Sequence, residues 1–383
     1  MATVGARTGV PLKLTSWGIE KPQRKVAPMK EGFKKIVRRL RYICFLILIT
    51  PLLCEGVVRV YSWLYFPKMM RINPAYGWYH ATDSQKYFTT EGEKALIIQN
   101  KLGHRGPNYG PRPAHGKIRV LVLGDSFTEG SHVGEEELFT NIIANRYSNL
   151  EVMNAGIGGY STVQEYLYLR NAGIELHPDL VLLMFFENDL LENCVSFYPS
   201  IGPRPFASIH NGQLEINENP SPDEWRKYVL PLPFTVQLNK YSLAYNFFNF
   251  RVYQRLRASY LNQLEYEDVK KTDSYPKMEI EKMILRKMHI SLKERGILFG
   301  IGLIPTKIDA QKGFSETHVT LLSFCDNEGI PCISLLNSLK EEYDKGIKPY
   351  FEVDIHWNRV GHRVASEVLG KYIQELLSSP QEE

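Results

Sequence analysis

Cysteine is scarce: there are five in 383 residues, too few for a disulfide framework in a chain this long. Cys44 and Cys54 fall in one apolar run. Cys325 and Cys332 flank another, where buried thiols are a simpler expectation than a bridge. No Cys/His spacing resembles a zinc site, so neither a metal nor another cofactor is expected. No internal repeat is present. A complete dinucleotide fingerprint is missing too. Gly156-Ile-Gly158-Gly159-Tyr160-Ser161 lacks the final glycine and the acidic residue about 20 positions on that such a site needs. Basic excess is also lacking over most of the chain. Residues 1–41 hold eleven Lys/Arg against Glu20 and Glu31, a net of +9, so the overall +4 leaves 4 − 9 = −5 for the rest. The pI of 8.6 therefore belongs to the tail and gives no reason to expect nucleic acid as a partner.

What is present begins with that tail, residues 1–41, which has Pro11, Pro22 and Pro28 and no hydrophobic period, and is expected to be unstructured. Next comes Tyr42–Cys54 with no charge until Glu55. Carried on to Val58 it is a helix of roughly 17 residues and about 25 Å, near the lower limit for crossing a bilayer. Arg59, four residues after Glu55, can snorkel, and Tyr61, Trp63 and Tyr65 read as an interfacial belt. Residues 42–66 are thus expected to form a transmembrane anchor. The basic flank places the amino end in the cytoplasm and the rest outside. Residues 67–116, rich in Gly, Pro, Tyr and Asn, read as an irregular connector.

From residue 117 apolar runs alternate with helical patterns. Strands are expected at Ile118–Leu123, Glu151–Asn154, Asp179–Phe186, Ile297–Leu303 and Ile330–Leu335. Helices are expected near 138–147, 162–171, 277–294, 316–327 and 360–377. This predicts a three-layer α/β/α sandwich with a five-stranded parallel sheet, flavodoxin-like, over residues 117–383. Residues 190–275 interrupt it with a hairpin around Asn211-Gly212 and an aromatic helical stretch near 241–262, whose stripe Tyr241–Tyr253 reads as core packing, with a membrane-facing or substrate-groove surface as the alternative.

In such a sheet ligands sit beyond the carboxyl ends of the strands. The residues there are Gly124-Asp125-Ser126, Asn154 to Gly159, Asn188-Asp189, and Asp354-Ile355-His356-Trp357 before the last helix. A hydroxyl, an imidazole, a carboxylate and hydrogen-bond donors make the inventory for acyl transfer through serine.

These four blocks, in this order, resemble those of the SGNH/GDSL hydrolase family over residues 117–190 and 275–377. The resemblance implies Ser126 as nucleophile, His356 as its base and Asp354 as the acid that orients it. It implies an oxyanion hole from the amides of Ser126 and Gly159 and the side chain of Asn188. Asp189 reads as a structural hydrogen-bonder, and the nine other histidines as structural. Two departures stand out: the family's Asp-x-x-His is here Asp354-x-His356, with Val353 at the usual acid position, and Phe186 replaces a glycine. Asp-x-His-Trp resembles SGNH-like polysaccharide O-acetyltransferases, and Asn100 to Gly106 resembles a stretch preceding the domain in anchored bacterial members, which implies a single pass through a bacterial cytoplasmic membrane with the domain on the periplasmic, extracytoplasmic side. The resulting expectation is an esterase acting on a lipid or glycan ester outside the membrane. The alternatives are an O-acyltransferase acting on a cell-envelope polysaccharide, or an inactive domain that binds glycan or a protein partner.

Overall fold

Large apolar side chains at both odd and even positions suit a strand covered on both faces. In the computed structural model Ile118–Gly124 is such a strand (β1), buried from Arg119 onward. The structure describes residues 31–65, 71–73, 75–198, 202–218, 230 and 232–379. Beside β1 stand β2 (Leu150–Asn154), β3 (Leu180–Phe186), β4 (Leu298–Ile304) and β5 (Cys332–Ser334). All pair in parallel, in the order β2-β1-β3-β4-β5. The five strands match the expected runs to within two residues, except that the last is shorter.

The alternation of the strands divides the core into two faces. Leu121, Leu123, Val181, Leu183 and Phe185 point into one cluster with α4 (Thr162–Tyr168), α5 (Lys277–Lys293) and α6 (Glu316–Glu328). Val120, Val122, Leu180, Leu182 and Met184 point into the other, with α3 (Phe139–Arg146) and α7 (Arg359–Ser378). Ile280, Ile284, Met288 and Leu292 recur every fourth residue along α5, so one stripe of that helix is buried. Cys325 and Cys332 are free thiols.

The chain divides into two units, 1–52 and 53–383. Of the first, residues 31–52 are described and are helical throughout. They belong to α1 (Glu31–Tyr65), which starts within the basic segment expected to be unstructured; residues 1–30 lie outside the described residues. Lys34, Lys35, Arg38, Arg39 and Arg41 are good helix formers, and they extend the apolar helix backwards. Among the described residues α1 is the one helix long and apolar enough to cross a membrane. The expected end of the anchor, Phe66, lies outside the described residues.

The connector is less irregular than expected. It holds the hairpin Ser84–Thr90/Glu93–Gln99, turned by Glu91 (φ 50°) and Gly92 (φ 89°), the positive-φ pair of a tight hairpin turn. The polar Glu-Gly tip and partly exposed strands give a weak alternation signal, which is why composition concealed it. Arg105 bridges both Gln99 and Asn154, joining the connector to the outer edge of β2. In the insertion, the hairpin Phe206–His210/Gln213–Asn217 forms as expected.

Candidate active site

The chain runs from β1 out to β2 and then crosses back to β3 on the other side of β1. The crevice beyond the carboxyl ends of β1 and β3 is therefore the topological switch point, where ligands bind in sheets of this kind. Ser126 follows β1 at that crevice and opens the one-turn helix α2 (Ser126–Glu129). Asp125 is its N-cap, its Oδ1 accepting from the Phe127 amide at 2.9 Å. From Arg119 to Val133 every residue is buried except Ser126. A helix of one turn has little macrodipole, so what it offers Ser126 is its own uncapped N–H groups.

Residue 126 meets the far end of the chain. Ser126 Oγ lies 2.7 Å from His356 Nε2, and His356 Nδ1 lies 2.6 Å from Asp354 Oδ1. Asp354 Oδ1 also accepts from the His356 amide at 2.8 Å. The spacing of one intervening residue therefore serves, because the Asp354 side chain folds back onto residue 356. Partial burial alone would raise the Asp354 carboxyl. The hydrogen bonds from the His356 amide and ring, with the nearby imidazoles, outweigh it and hold the carboxyl below its ordinary value. Val353, at the usual acid position, is 85% exposed and so lies outside the relay.

The glycine block is fixed by where its amides go. Ala155 N donates to Val122 O, Gly156 N to Asn154 Oδ1, Ile157 N to Gly124 O, Gly158 N to Glu129 Oε2, and Tyr160 N to Ile157 O. Gly159 is left as the residue of this loop whose amide has no acceptor among the described residues. Its φ of +77° and a Tyr198 ring atom 2.8 Å from any added Cβ make glycine obligatory there. Gly156 packs so closely on α2 that a Cβ would stand 2.4 Å from the Glu129 amide nitrogen. Asn188 reaches the same rim, where its Nδ2 donates to Glu192 Oε1 at 3.2 Å and its Oδ1 is buried without a partner. Asp189 is fully buried and structural, near the Phe186 amide and the Thr162 hydroxyl.

Several residues at the site were not expected from the sequence. His132, counted among the structural histidines, stacks on His356 with ring centroids 4.0 Å apart and planes 18° apart. Its Nε2 is 3.8 Å from Asp354 Oδ2. Burial, then the neighbouring His356, pushes its pKa down to about 4, so it is neutral near pH 7. Phe127 covers another side of the His356 ring at 4.8 Å. Glu129 is buried and gathers the Gly158 amide at 2.7 Å, His80 at 3.1 Å and the Ser131 hydroxyl. Burial would raise its carboxyl, but His80, Lys86 and Ser131 hold it well below the ordinary value. Glu91, at the tip of the connector hairpin, accepts from the amides of Glu352, Val353 and Asp354 at 2.6 to 2.8 Å. Arg105 donates to the carbonyls of Glu129, Gly130 and Val133 and to Glu135 Oε1 at 2.6 Å, pinning the segment after α2. None of these carries a local signal, because each acts on a segment distant in sequence. Of the other histidines, His104 is structural as expected, its Nε2 2.6 Å from the Tyr168 hydroxyl.

His132, Asp354 and His356 bring three potential metal-ligand atoms within 4.8 Å of one another. Both ring nitrogens of His356 are already engaged, and parallel rings aim their lone pairs side by side rather than at one point. The cluster therefore fits a stacked relay better than a metal centre.

No protein-family model and no curated protein matches the chain. Solved structures do. A two-domain esterase active on acetylated mannans aligns at 12% identity and a TM-score of 0.38, over 70% of this chain and 52% of that one. The chain thus spans about half the length of that relative. A member of the lipolytic G-D-S-L family from Veillonella parvula aligns at 16% identity and a TM-score of 0.37, over 69% of this chain and 100% of that one. An acetyl-xylooligosaccharide esterase from Geobacillus stearmophilus aligns at 14% identity and a TM-score of 0.37, over 70% and 99%.

Proposed function

We propose that this chain is a serine ester hydrolase that works through an acyl-enzyme on Ser126. The supporting observation is the relay of 2.7 Å from Ser126 to His356 and 2.6 Å from His356 to Asp354, ending at the one incompletely buried residue of a buried segment. His356 Nε2 takes the Ser126 proton as Oγ bonds the ester carbonyl carbon. The tetrahedral oxyanion falls to the amides of Ser126 and Gly159 and to the Asn188 amide, and each donor of this kind is worth about 2.7–4 kcal/mol. The protonated imidazole, steadied by ionised Asp354, then gives its proton to the departing alcohol. In the second half His356 takes a proton from water as the water oxygen bonds the acyl carbon, and it returns that proton to Ser126 Oγ as the acyl–Oγ bond breaks and the acid leaves. A sugar hydroxyl in place of water would make the same site an acyltransferase. With α1 taken as the anchor and its basic end in the cytoplasm, the substrate is expected outside the cytoplasmic membrane, as an acyl or acetyl ester of a lipid or glycan.

A fluorophosphonate probe on the full-length protein in membranes tests the reading. Wild type is expected to label on the peptide holding Ser126 and to hydrolyse p-nitrophenyl acetate. Ser126→Ala should lose labelling and on the order of 10⁴-fold or more of turnover. Folded wild type that neither labels nor turns over ester would sink the proposal.

A further inference from the structure

Between Leu230 and Gln263 the sequence holds Lys240, Arg251, Arg255 and Arg257 and no Asp or Glu, whereas the chain beyond residue 41 is net acidic. The same stretch folds into short helical segments, Thr235–Tyr241, Leu243–Phe248 and Asn249–Leu256, followed by Ala258–Lys271. One side packs inward through Ala244, Tyr245 and Leu261. The other does not, correcting the expectation that this aromatic stretch is core. Phe248, Val252, Leu256 and Tyr260 recur every fourth residue and are 45%, 41%, 81% and 43% exposed. Phe234 and Tyr241 stand out nearby. A basic segment with an outward apolar stripe has the composition of a helix that lies in a lipid headgroup layer.

Part of this surface is bonded to residues that follow the apolar run of α1. Glu55, the first charge after the apolar run of α1, accepts from Ser242 Oγ at 2.7 Å, the Leu243 amide at 3.1 Å and the Ala244 amide at 3.0 Å. Arg59, paired with Glu55 at 2.8 Å, donates to Tyr241 O at 3.1 Å. Glu55 thus caps the start of Leu243–Phe248 with a carboxylate. Residues 241–244 are thus bonded to Glu55 and Arg59, the first charged residues after the apolar run.

We propose that residues 232–260 form a membrane-seated platform, the stripe from Phe248 to Tyr260 meeting the outer headgroup and acyl boundary and the arginines meeting anionic headgroups. This rests on α1 spanning the membrane. It goes beyond anchoring, because two attachments hold the domain at a set height and tilt where one helix alone would leave it free to swing.

The test uses full-length protein in native membranes, with a photoreactive phenylalanine at Phe248, Leu256, Leu48 or Tyr87 in turn. Fluorophosphonate labelling of Ser126 verifies that each variant is folded. Lipid adducts are expected at Leu48, Phe248 and Leu256 and none at Tyr87, which is 63% exposed on the connector hairpin. Lipid adducts at Leu48 alone, or adducts from Leu256 to a second copy of the chain, would overturn the platform and leave the span intact. No lipid adduct at Leu48 would remove the span and the platform together.

Discussion

His356, the proposed base, lies between two rings and a carboxylate, and its neutral neighbour is as informative as Asp354. In the proposed mechanism His356 becomes a cation 4.0 Å from the His132 ring when it takes the serine proton. A charged His132 would oppose that step, and burial keeps it neutral above about pH 4. Its face instead holds the His356 ring in line with Ser126. Stacked aromatic pairs contribute about 0.5–1.5 kcal/mol, so His132→Ala should lower kcat by about two- to tenfold with KM nearly unchanged. Steady-state kinetics on a soluble ester checks this; a change confined to KM would assign His132 to substrate binding instead.

At the level of elements, Asp354 and His356, the proposed acid and base, sit on a loop steadied by another loop. The three amides of Glu352, Val353 and Asp354 converge on Glu91 at the hairpin tip, and Lys307 Nζ donates to the carbonyls of Phe351 and Glu352. Glu91→Ala leaves those amides to water and frees the loop. The expected result is a tenfold or greater fall in kcat, taking loop misplacement as costing up to about 10²-fold, with a thermal midpoint within a few degrees of wild type. An unaltered kcat would show that the loop holds its shape without the hairpin.

A second element-level device lies behind α2, where carboxyls are buried together. Burial raises Glu281 to about 7 and, with Glu192 nearby, Asp125 to about 7; Glu165 and Asp189 rise as well. Glu281 accepts from Thr162 Oγ1 at 3.1 Å and Asn193 Nδ2 at 2.6 Å, joining α5 to α4. Unfolded, such a carboxyl has lost its proton by about pH 5. Folded, Glu281 keeps it until about pH 7. Between those values the folded state binds the extra proton, so stability is full below the window and falls as pH rises through it. The slope is at most about 1.4 kcal/mol per pH unit for each proton. Melting curves at pH 5 and pH 8 should therefore differ, and Glu281→Gln should narrow the difference by raising the pH 8 midpoint. Equal pH sensitivity in the variant would remove Glu281 from the linkage.

For the whole molecule, the prediction concerns the proposed anchor and the side of the membrane on which the site lies. Eleven basic residues precede the apolar run, and for a spanning α1 the positive-inside rule predicts that they stay in the cytoplasm. In spheroplasts, protease added outside should digest the domain carrying Ser126 while an amino-terminal tag remains protected. A tag lost before the domain would reverse the orientation and place the ester substrate in the cytoplasm.

Much of this was legible in the sequence because it is local. Apolar runs of strand length, glycine and polar residues at their ends, and helical periods after them depend on neighbours in the chain. Strand positions, the fold class and the candidate residues beyond the strand ends were expected on that basis, and the resemblance to SGNH/GDSL hydrolases then singled out Ser126, His356 and Asp354. Tertiary structure alone decided what depends on segments far apart in sequence. Glu91 reaches the loop 352–354, His132 lies under His356, Arg105 pins the turn after α2, and Glu55 caps a helix almost two hundred residues later. Nothing local marks such a residue, since its role comes from the surface it meets. The direction of the stripe from Phe248 to Tyr260 was settled in the same way: an apolar period shows that a helix has two faces, and only packing tells which one is left outside.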